Sequence, residues 1–338
     1  MRRLSLIFLI AACVISASTY AQNEEGSQRL KELTDKIQEY GDLATGAAKS
    51  NEIQLDEFRA NIRDLLDQLK AIYGPDDRRN YFESSVSGNE RQAADATAML
   101  VYRSELIPDN SGATYSLPSE GAGLCDAERF STEPAPGFCS AFAVGRDLVA
   151  TAGHCINTQP KCDQVAFVFG FRMDSADARP EAKISAENVY MCKTVVDSAL
   201  GGGDQSDWSV VRVNRPISAP ITNIRGSKMA KIEKGASLTV VGYPIGLPVK
   251  IANNASVREL KNTFFVANLD TYGGNSGSAV FNSDALAQGH LLVEGILVRG
   301  EQDFIQSSPC RISKRCPNTG CRGESVTYAS EIEGALGE

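Results

Sequence analysis

From residue 138 onward, short apolar runs alternate with turn residues, and this texture constrains the fold more than any other feature of the chain. Runs of this length and spacing predict a β-barrel or a β-sandwich rather than alternating β–α–β units. One earlier run, 98–106, fits either a strand or a short helix. The predicted strands are 138–144, 148–152, 164–171, 208–213, 236–241, 263–266, 278–281 and 291–298.

Residues 1–21 predict an export signal. Arg2 and Arg3 precede an apolar run over 4–15, and a cut after Ala21 fits the small residues Thr19 and Ala21 that precede it. An alternative is lipoprotein processing, in which Cys13 becomes a lipid-bearing N-terminus. The apolar run is too short to span a membrane as a mature helix. We therefore expect a secreted or periplasmic protein without a transmembrane segment, or one that is lipid-anchored through Cys13.

Residues 22–70 contain no cysteine, proline or tryptophan, and their apolar residues recur at helical spacing. Ser50 or Asn51 can cap a helix that ends at Gly74-Pro75. The segment is either a helical hairpin packed on the following domain or a short helical pro-segment that is later removed, and we favour the pro-segment. The apolar stripe consists of Leu55, Phe58, Ile62, Leu65, Leu66, Leu69 and Ile72.

Cysteine content and charge narrow the function classes. The net charge of −8 over 338 residues argues against nucleic-acid binding, because no basic excess is available to neutralise phosphates. An even number of cysteines after Cys13 in an exported chain predicts disulfides. No two are spaced as C-x-x-C, so we expect no metal site. The eight are Cys125, Cys139, Cys155, Cys162, Cys192, Cys310, Cys316 and Cys321.

Two motifs carry the residues suited to nucleophilic chemistry. The chain has two histidines; His154 follows a predicted strand in Thr-Ala-Gly-His-Cys, whereas His290 lies in a polar turn. Ser276 lies in Gly-Gly-Asn-Ser-Gly-Ser, where a tight turn leads into a strand. A serine hydroxyl needs a base to become a nucleophile, and His154 is suited to that role. The amides of Gly274 and Ser276 could stabilise a developing oxyanion.

An aspartate is needed to orient the imidazole and to stabilise its charged form. Three aspartates lie at plausible positions between the histidine and the serine: Asp197, Asp204 and Asp207. We favour Asp207, because it ends a glycine-rich loop and begins a predicted strand, where a carboxylate can be fixed and partly buried. Asp204 fits a solvated turn better.

The three residues follow one another in the order His154, Asp207, Ser276, in the motifs Thr-Ala-Gly-His-Cys, Asp-Trp-Ser-Val-Val and Gly-Asn-Ser-Gly-Ser. In this order and in these motifs, the chain resembles the trypsin/chymotrypsin superfamily of serine peptidases. The match covers 138–305, and Gly-Gly-Asn-Ser-Gly-Ser is similar to the bacterial glutamyl-endopeptidase branch. The resemblance implies a mainly β fold of two six-stranded antiparallel β-barrels with the triad in the cleft between them. It also implies a disulfide between Cys139 and Cys155.

The other cysteine pairs are less constrained. We expect Cys162 to pair with Cys192. The remaining cysteines, Cys310, Cys316 and Cys321, are expected to staple a loop of the tail 306–338, with Cys125 as the fourth partner.

The resemblance also bears on activation. Trypsin-like zymogens bury a new N-terminal amine against an aspartate just before the nucleophile, and Asn275 occupies that position here. In the glutamyl-endopeptidase branch the mature N-terminus helps form the specificity pocket, and 71–78 resembles the start of those mature enzymes. We therefore predict cleavage after Lys70. The mature chain then begins with a connecting region, 71–137, ahead of the peptidase domain 138–305.

Four residues are expected to bind substrate. Asp270 lies six residues before Ser276, the offset of the basic-selective aspartate in trypsin, although some glutamate-cleaving relatives share it. Thr271 matches a threonine that helps bind a substrate carboxylate in that branch. Leu297 replaces the histidine expected at the pocket wall, and Arg299 can supply positive charge or face solvent.

The sequence thus predicts an exported, monomeric serine endopeptidase that acts on proteins or peptides through an acyl-enzyme and needs no cofactor. Two alternatives share the same motifs. One is a catalytically inactive binding module of the same fold, although no triad residue is substituted. The other is an esterase that uses the same triad.

Overall fold

A computed structural model describes residues 71–176, 183–201, 206–306 and 308–337. The predicted signal peptide, pro-segment, lipidation site at Cys13 and cleavage site after Lys70, together with Asp204, lie outside these ranges.

Strands dominate the described residues. The α-helices are α1 Gly88–Asp95, α2 Gln159–Cys162 and α3 Ser283–Ala287, and short 3-10 helices cover Arg103–Glu105, Ala186–Asn188, Pro244–Gly246 and Ala329–Ala335. The first strands are β1 Ile72–Tyr73, β2 Arg79–Asn80, β3 Thr97–Tyr102, β4 Ile107–Pro108, β5 Thr114–Ser116, β6 Cys139–Ala143, β7 Leu148–Thr151, β8 Val165–Phe169, β9 Lys183–Ser185, β10 Val189–Leu200 and β11 Asp207–Val213. The later strands are β12 Asn223–Ile224, β13 Ser237–Gly242, β14 Lys250–Leu260, β15 Phe264–Ala267, β16 Ala279–Asn282, β17 Leu292–Arg299, β18 Phe304–Gln306, β19 Ile312–Ser313, β20 Arg315–Cys316 and β21 Glu324–Tyr328.

The first barrel closes in the order β10-β11-β7-β6-β3-β8, with every neighbouring pair antiparallel. All residues of β6, β7 and β8 are buried, which explains why these strands are continuous apolar runs rather than alternating ones. Phe142, Phe167 and Val210 are among the side chains of its apolar core.

The second barrel is the antiparallel ring β13-β14-β15-β21-β17-β16, which the pairing of β17 with β21 closes. Leu238, Phe265 and Val326 pack inside it. The prediction of a mainly β fold with two six-stranded antiparallel barrels is therefore confirmed. The run 98–106, which sequence left open, forms the strand β3 followed by a 3-10 turn.

The two barrels take strands from outside the range 138–305 that was predicted for the peptidase domain. Strand β3 comes from the predicted connecting region 71–137, and β21 comes from the predicted tail 306–338. Sequence could not reveal this, because the strands with which β3 and β21 pair are far away in the chain.

Residues 71–80 are also built into the second half of the chain. Strand β1 pairs in parallel with β20, and β2 pairs antiparallel with β14. Glu90 of α1 hydrogen-bonds Asn253 of β14 and forms an ion pair with Arg79. The same glutamate completes a capping box with Ser87, which fixes the start of α1.

Four disulfides link the eight described cysteines: Cys125–Cys310, Cys139–Cys155, Cys162–Cys192 and Cys316–Cys321. Among the described residues, no helix has the length and apolarity needed to cross a membrane.

Candidate active site

Asp207 is the first residue of β11 and is fully buried. Both of its carboxylate oxygens contact His154: Oδ1 accepts the backbone N–H at 3.1 Å, and Oδ2 lies 2.9 Å from Nδ1. Burial alone would raise the pKa of Asp207, but the charges and hydrogen bonds of His154 and Arg299 outweigh it and hold the pKa at about 2. The carboxylate therefore stays ionised and fixes both the backbone and the ring of the histidine.

His154 lies in the turn after β7, and two features hold that turn. A Cβ on Gly153 would lie 2.3 Å from Ala199 O in β10, so only glycine lets the turn approach the barrel wall this closely. The disulfide Cys139–Cys155 ties the turn to β6. Sγ of Cys155 also lies 3.8 Å from Ser276 O, which brings the histidine turn and the serine turn side by side.

Ser276 lies in the turn that precedes β16, and its Oγ donates a hydrogen bond to Val298 O at 3.4 Å. Most amides of the turn 273–278 have internal partners. The acceptors are Asp303 Oδ2 for Gly273, Tyr272 O for Asn275, Leu297 O for Gly277 and Asn275 O for Ser278. The amides of Gly274 and Ser276 belong to the same turn, and their predicted role in oxyanion binding stays a prediction. Gly274 has a φ of 81°, which favours glycine there.

Ser140 connects the serine turn to the first barrel, a contact that sequence reasoning missed. The backbone N–H of Ser140 donates to Ser276 O at 2.8 Å, and its Oγ donates to Gly274 O at 2.8 Å. The same Oγ accepts the backbone N–H of Tyr243 at 2.9 Å. A small hydroxyl beside Cys139 is the only local signal in the sequence, and it does not identify these partners.

The aspartate candidates are now distinguished by placement. Asp197 is exposed on β10, where its Oδ1 accepts the backbone N–H of Ser198 at 2.8 Å. The second histidine, His290, is exposed in the turn after α3.

Asp270 lines a cavity together with Tyr73 and Asp77, and its carboxyl group is also engaged by the chain itself. Its role in substrate binding stays a prediction. Its Oδ1 accepts the backbone N–H of Tyr73 at 2.6 Å, and its Oδ2 accepts that of Asp77 at 3.0 Å. Burial and the adjacent charge of Asp77 raise the pKa of Asp270 to about 8. The carboxyl group therefore holds the chain's own segment 73–77 and is mostly protonated at neutral pH.

Thr271 is also engaged by the chain itself. Its backbone N–H donates to Ala71 O at 3.2 Å, and its Oγ1 donates to Glu324 Oε2 at 3.3 Å. Leu297 is fully buried and packs with the apolar core of the second barrel. Sequence could not reveal these contacts, because each partner lies far away along the chain. The predicted roles of Thr271 and Leu297 in substrate binding stay predictions.

Arg299, predicted to meet substrate or solvent, places its guanidinium beside Asp207. Nη2 lies 3.2 Å from Asp207 Oδ2, the oxygen that also contacts His154.

The described residues that come close enough together to ligate a metal are Cys139, His154 and Cys155. The two sulfur atoms are bonded to each other, and metals bind thiolates rather than disulfides.

The pH dependence of stability should report the raised pKa of Asp270. Between about pH 4 and pH 8 the folded chain keeps a proton that the unfolded chain has released, so this group's stabilising contribution falls as pH rises. We expect Asp270→Asn to flatten that decline in urea unfolding measured at pH 5 and pH 8. Asp284→Asn, at an exposed carboxylate, should keep the wild-type slope. If the unfolding free energy of Asp270→Asn fell with pH as steeply as that of the wild type, the raised pKa could not belong to Asp270.

Comparison with known proteins adds independent findings. Residues 139–289 match the family model described as "Trypsin-like peptidase domain". A curated glutamyl endopeptidase from Bacillus licheniformis is 25% identical over 154 residues, which is 44% of this chain and 46% of that relative. The chain thus spans about half the length of the curated relative that it matches.

Solved structures are similar at lower identity. A Glu endopeptidase in complex with MPD shares 14% identity with a TM-score of 0.47, covering 78% of this chain and 97% of its own. The Vibrio cholerae VesB protease shares 13% identity with a TM-score of 0.47, covering 79% of this chain and 67% of its own.

Proposed function

We propose that the chain is an exported serine endopeptidase of the trypsin-like kind, with the triad Ser276, His154 and Asp207. The match of residues 139–289 to a trypsin-like peptidase domain supports this proposal. The observation that carries this proposal is the double contact between Asp207 and His154, at 3.1 Å to the backbone N–H and 2.9 Å to Nδ1. That arrangement leaves Nε2 of the imidazole as the nitrogen that can exchange a proton with a serine hydroxyl.

The proposed reaction has two halves. Ser276 Oγ attacks the carbonyl carbon of the scissile peptide while His154 Nε2 takes its proton, and the amides of Gly274 and Ser276 stabilise the oxyanion. The C–N bond then breaks as His154 returns the proton to the leaving amine. A water molecule, deprotonated by the same nitrogen, attacks the acyl carbon, and the acyl–Oγ bond breaks as His154 passes that proton to Ser276 Oγ, which restores the hydroxyl. Ionised Asp207 stabilises the imidazolium in both halves.

Export is supported by the four disulfides, because such bonds persist in oxidising compartments. The first 21 residues are proposed as the signal peptide. The alternative, a lipid anchor at Cys13, remains the competing proposal, and a mass measurement of the secreted or membrane-bound chain separates the two.

Removal of residues 22–70 is proposed as the maturation step. The backbone N–H of buried Ala71 donates to Oε1 of Glu324 at 3.3 Å, and Glu324 is itself fully buried. Cleavage after Lys70 would turn that amide into an ammonium, which a buried carboxylate binds more strongly. N-terminal sequencing of the secreted protein should therefore begin at Ala71, whereas a mature form that begins at Gln22 would contradict this step.

The test of the proposed function is proteolysis of a diverse peptide mixture, read by mass spectrometry, with Ser276→Ala in parallel. We expect cuts from the wild type and a loss of about 10⁴-fold or more in the variant. Fluorophosphonate labelling gives a second readout. Ser276→Ala should lose the label, and Ser278→Ala, two residues along the same turn, should keep it.

The outcomes distinguish the alternatives. Labelling without peptide cleavage would favour an esterase. Neither labelling nor cleavage in the processed wild type would overturn the enzyme assignment and favour a binding module.

A further inference from the structure

Arg299 brings a permanent positive charge to the triad carboxylate. It ends β17, and its Nη2 lies 3.2 Å from Asp207 Oδ2. The same oxygen lies 2.9 Å from His154 Nδ1, so one carboxylate oxygen serves a guanidinium and an imidazole together. The arginine side chain is 19% exposed while that of Asp207 is 0% exposed, so the contact is largely screened from water.

We propose that Arg299 is a positioning residue of the triad, which partly neutralises Asp207 and thereby extends the activity of the enzyme to lower pH. This inference rests on the proposed function.

The electrostatic argument follows from the shared oxygen. A lone carboxylate beside an imidazole favours the protonated ring, and a cation on the same carboxylate opposes that effect. A guanidinium stays protonated at all accessible pH values. The neutral ring, which is the form able to accept the serine proton, therefore persists to a lower pH than it would beside Asp207 alone.

The arginine also restricts the carboxylate geometrically. Oδ1 is held by the backbone N–H of His154, while Oδ2 is held by both the imidazole and Arg299. A rotation of the carboxylate would break all three contacts. The second effect of Arg299 is therefore to reduce the freedom of the group that orients the base.

The other charged side chains near Asp207 and His154 contact the backbone or a neighbouring side chain. In the described part of the chain, Lys161 of α2 donates to His154 O at 3.1 Å. Glu331, from the 3-10 helix Ala329–Ala335, accepts a hydrogen bond from Ser206 Oγ at 3.4 Å. Strand β21 contributes Thr327, whose neutral Oγ1 donates to Asp207 O at 3.1 Å. Arg299 is thus the cation placed on the carboxylate itself.

The experiment is an NMR titration of the imidazole rings, which does not require turnover. The chain contains two histidines, so His290→Gln assigns the His154 signal, and exposed His290 serves as the internal reference. In Arg299→Met we expect the midpoint of the His154 titration to rise by about one pH unit, while that of His290 stays in place. Arg299→Lys, which keeps the charge, should remain closer to wild type. If Arg299→Met does not fold, Arg299→Gln carries the same expectation.

The pH dependence of kcat/KM gives a second, kinetic measurement, and we expect it to shift in the same direction as the ring titration. The acid limb of the kcat/KM profile of Arg299→Met should move upward with the ring titration. An unchanged midpoint for His154 in a folded neutral variant would overturn the inference, even if KM rises. A shifted midpoint in a protein that neither labels nor cleaves would retain the electrostatic role of Arg299 while refuting the peptidase assignment.

Discussion

Replacing Asp207 by asparagine is expected to lower kcat by about 10⁴-fold while the protein remains folded. Asparagine has nearly the same shape but presents one oxygen and one NH₂ group where the wild type has two acceptors for His154. The imidazole then loses the partner that selects its tautomer and stabilises its charged form. The measurement is kcat on a peptide that the wild type cleaves.

Asp197→Asn provides the matched control. Asp197 lies on β10, is exposed, and was one of the aspartates that sequence alone left in contention. This variant should retain wild-type kcat. Activity of Asp207→Asn within tenfold of wild type, or an equal loss in Asp197→Asn, would refute the assignment of Asp207.

Gly277→Ala is expected to give the largest loss of stability among single methyl additions near the site. Gly277 has a φ of 89°, and a Cβ there would lie 2.0 Å from Ser140 O and 2.4 Å from Thr151 Oγ1. The left-handed conformation costs about 1–2 kcal/mol for a residue with a side chain, and overpacking adds about 1–3 kcal/mol or more. Because the turn must move away from β6, labelling of Ser276 by a fluorophosphonate should also slow strongly.

Gly235→Ala is the control that separates the conformational cost from the overpacking cost. Gly235 has a φ of 87°, and no described atom lies within 4 Å of the position of an added Cβ. It should therefore show the conformational cost alone in urea unfolding, with labelling unchanged. Equal losses of unfolding free energy in the two variants would mean that the contact with Ser140 is readily relieved.

The sequence located those strands whose residues are buried along their whole length. Val165–Phe169 and Leu148–Thr151 are examples, because a continuous apolar run identifies them without knowledge of their partners. Val189–Leu200 and Lys250–Leu260 escaped prediction, since half-exposed and polar residues interrupt the apolar pattern in both. Glu324–Tyr328 is a strand because it pairs with β15 on one side and β17 on the other. Pairing with distant strands is not visible in the local sequence pattern.

In the candidate active site, too, some residues were identified from local sequence and others depend on distant partners. Local motifs placed His154 beside a tight turn and Ser276 in a glycine-rich one, and the loop–strand junction directed attention to Asp207. The contacts of Asp270 and Arg299 depend on residues that are 197 and 92 positions away along the chain. Sequence spacing identified them as charged groups near the serine, but only the tertiary structure decides which partner takes each charge.

The placement of residues 71–80 has a consequence for the order of folding. Ala71 contacts Glu324 across a separation of 253 residues, and Ile72 lies opposite Arg315 in the parallel pairing. Contacts between such distant residues carry a high loop-closure cost and form slowly. We therefore expect the beginning of this segment to be fixed late, after the strands that close the second barrel have come together. Cleavage before Ala71 would then be most productive after that closure, so that the new N-terminus has a completed binding site to enter.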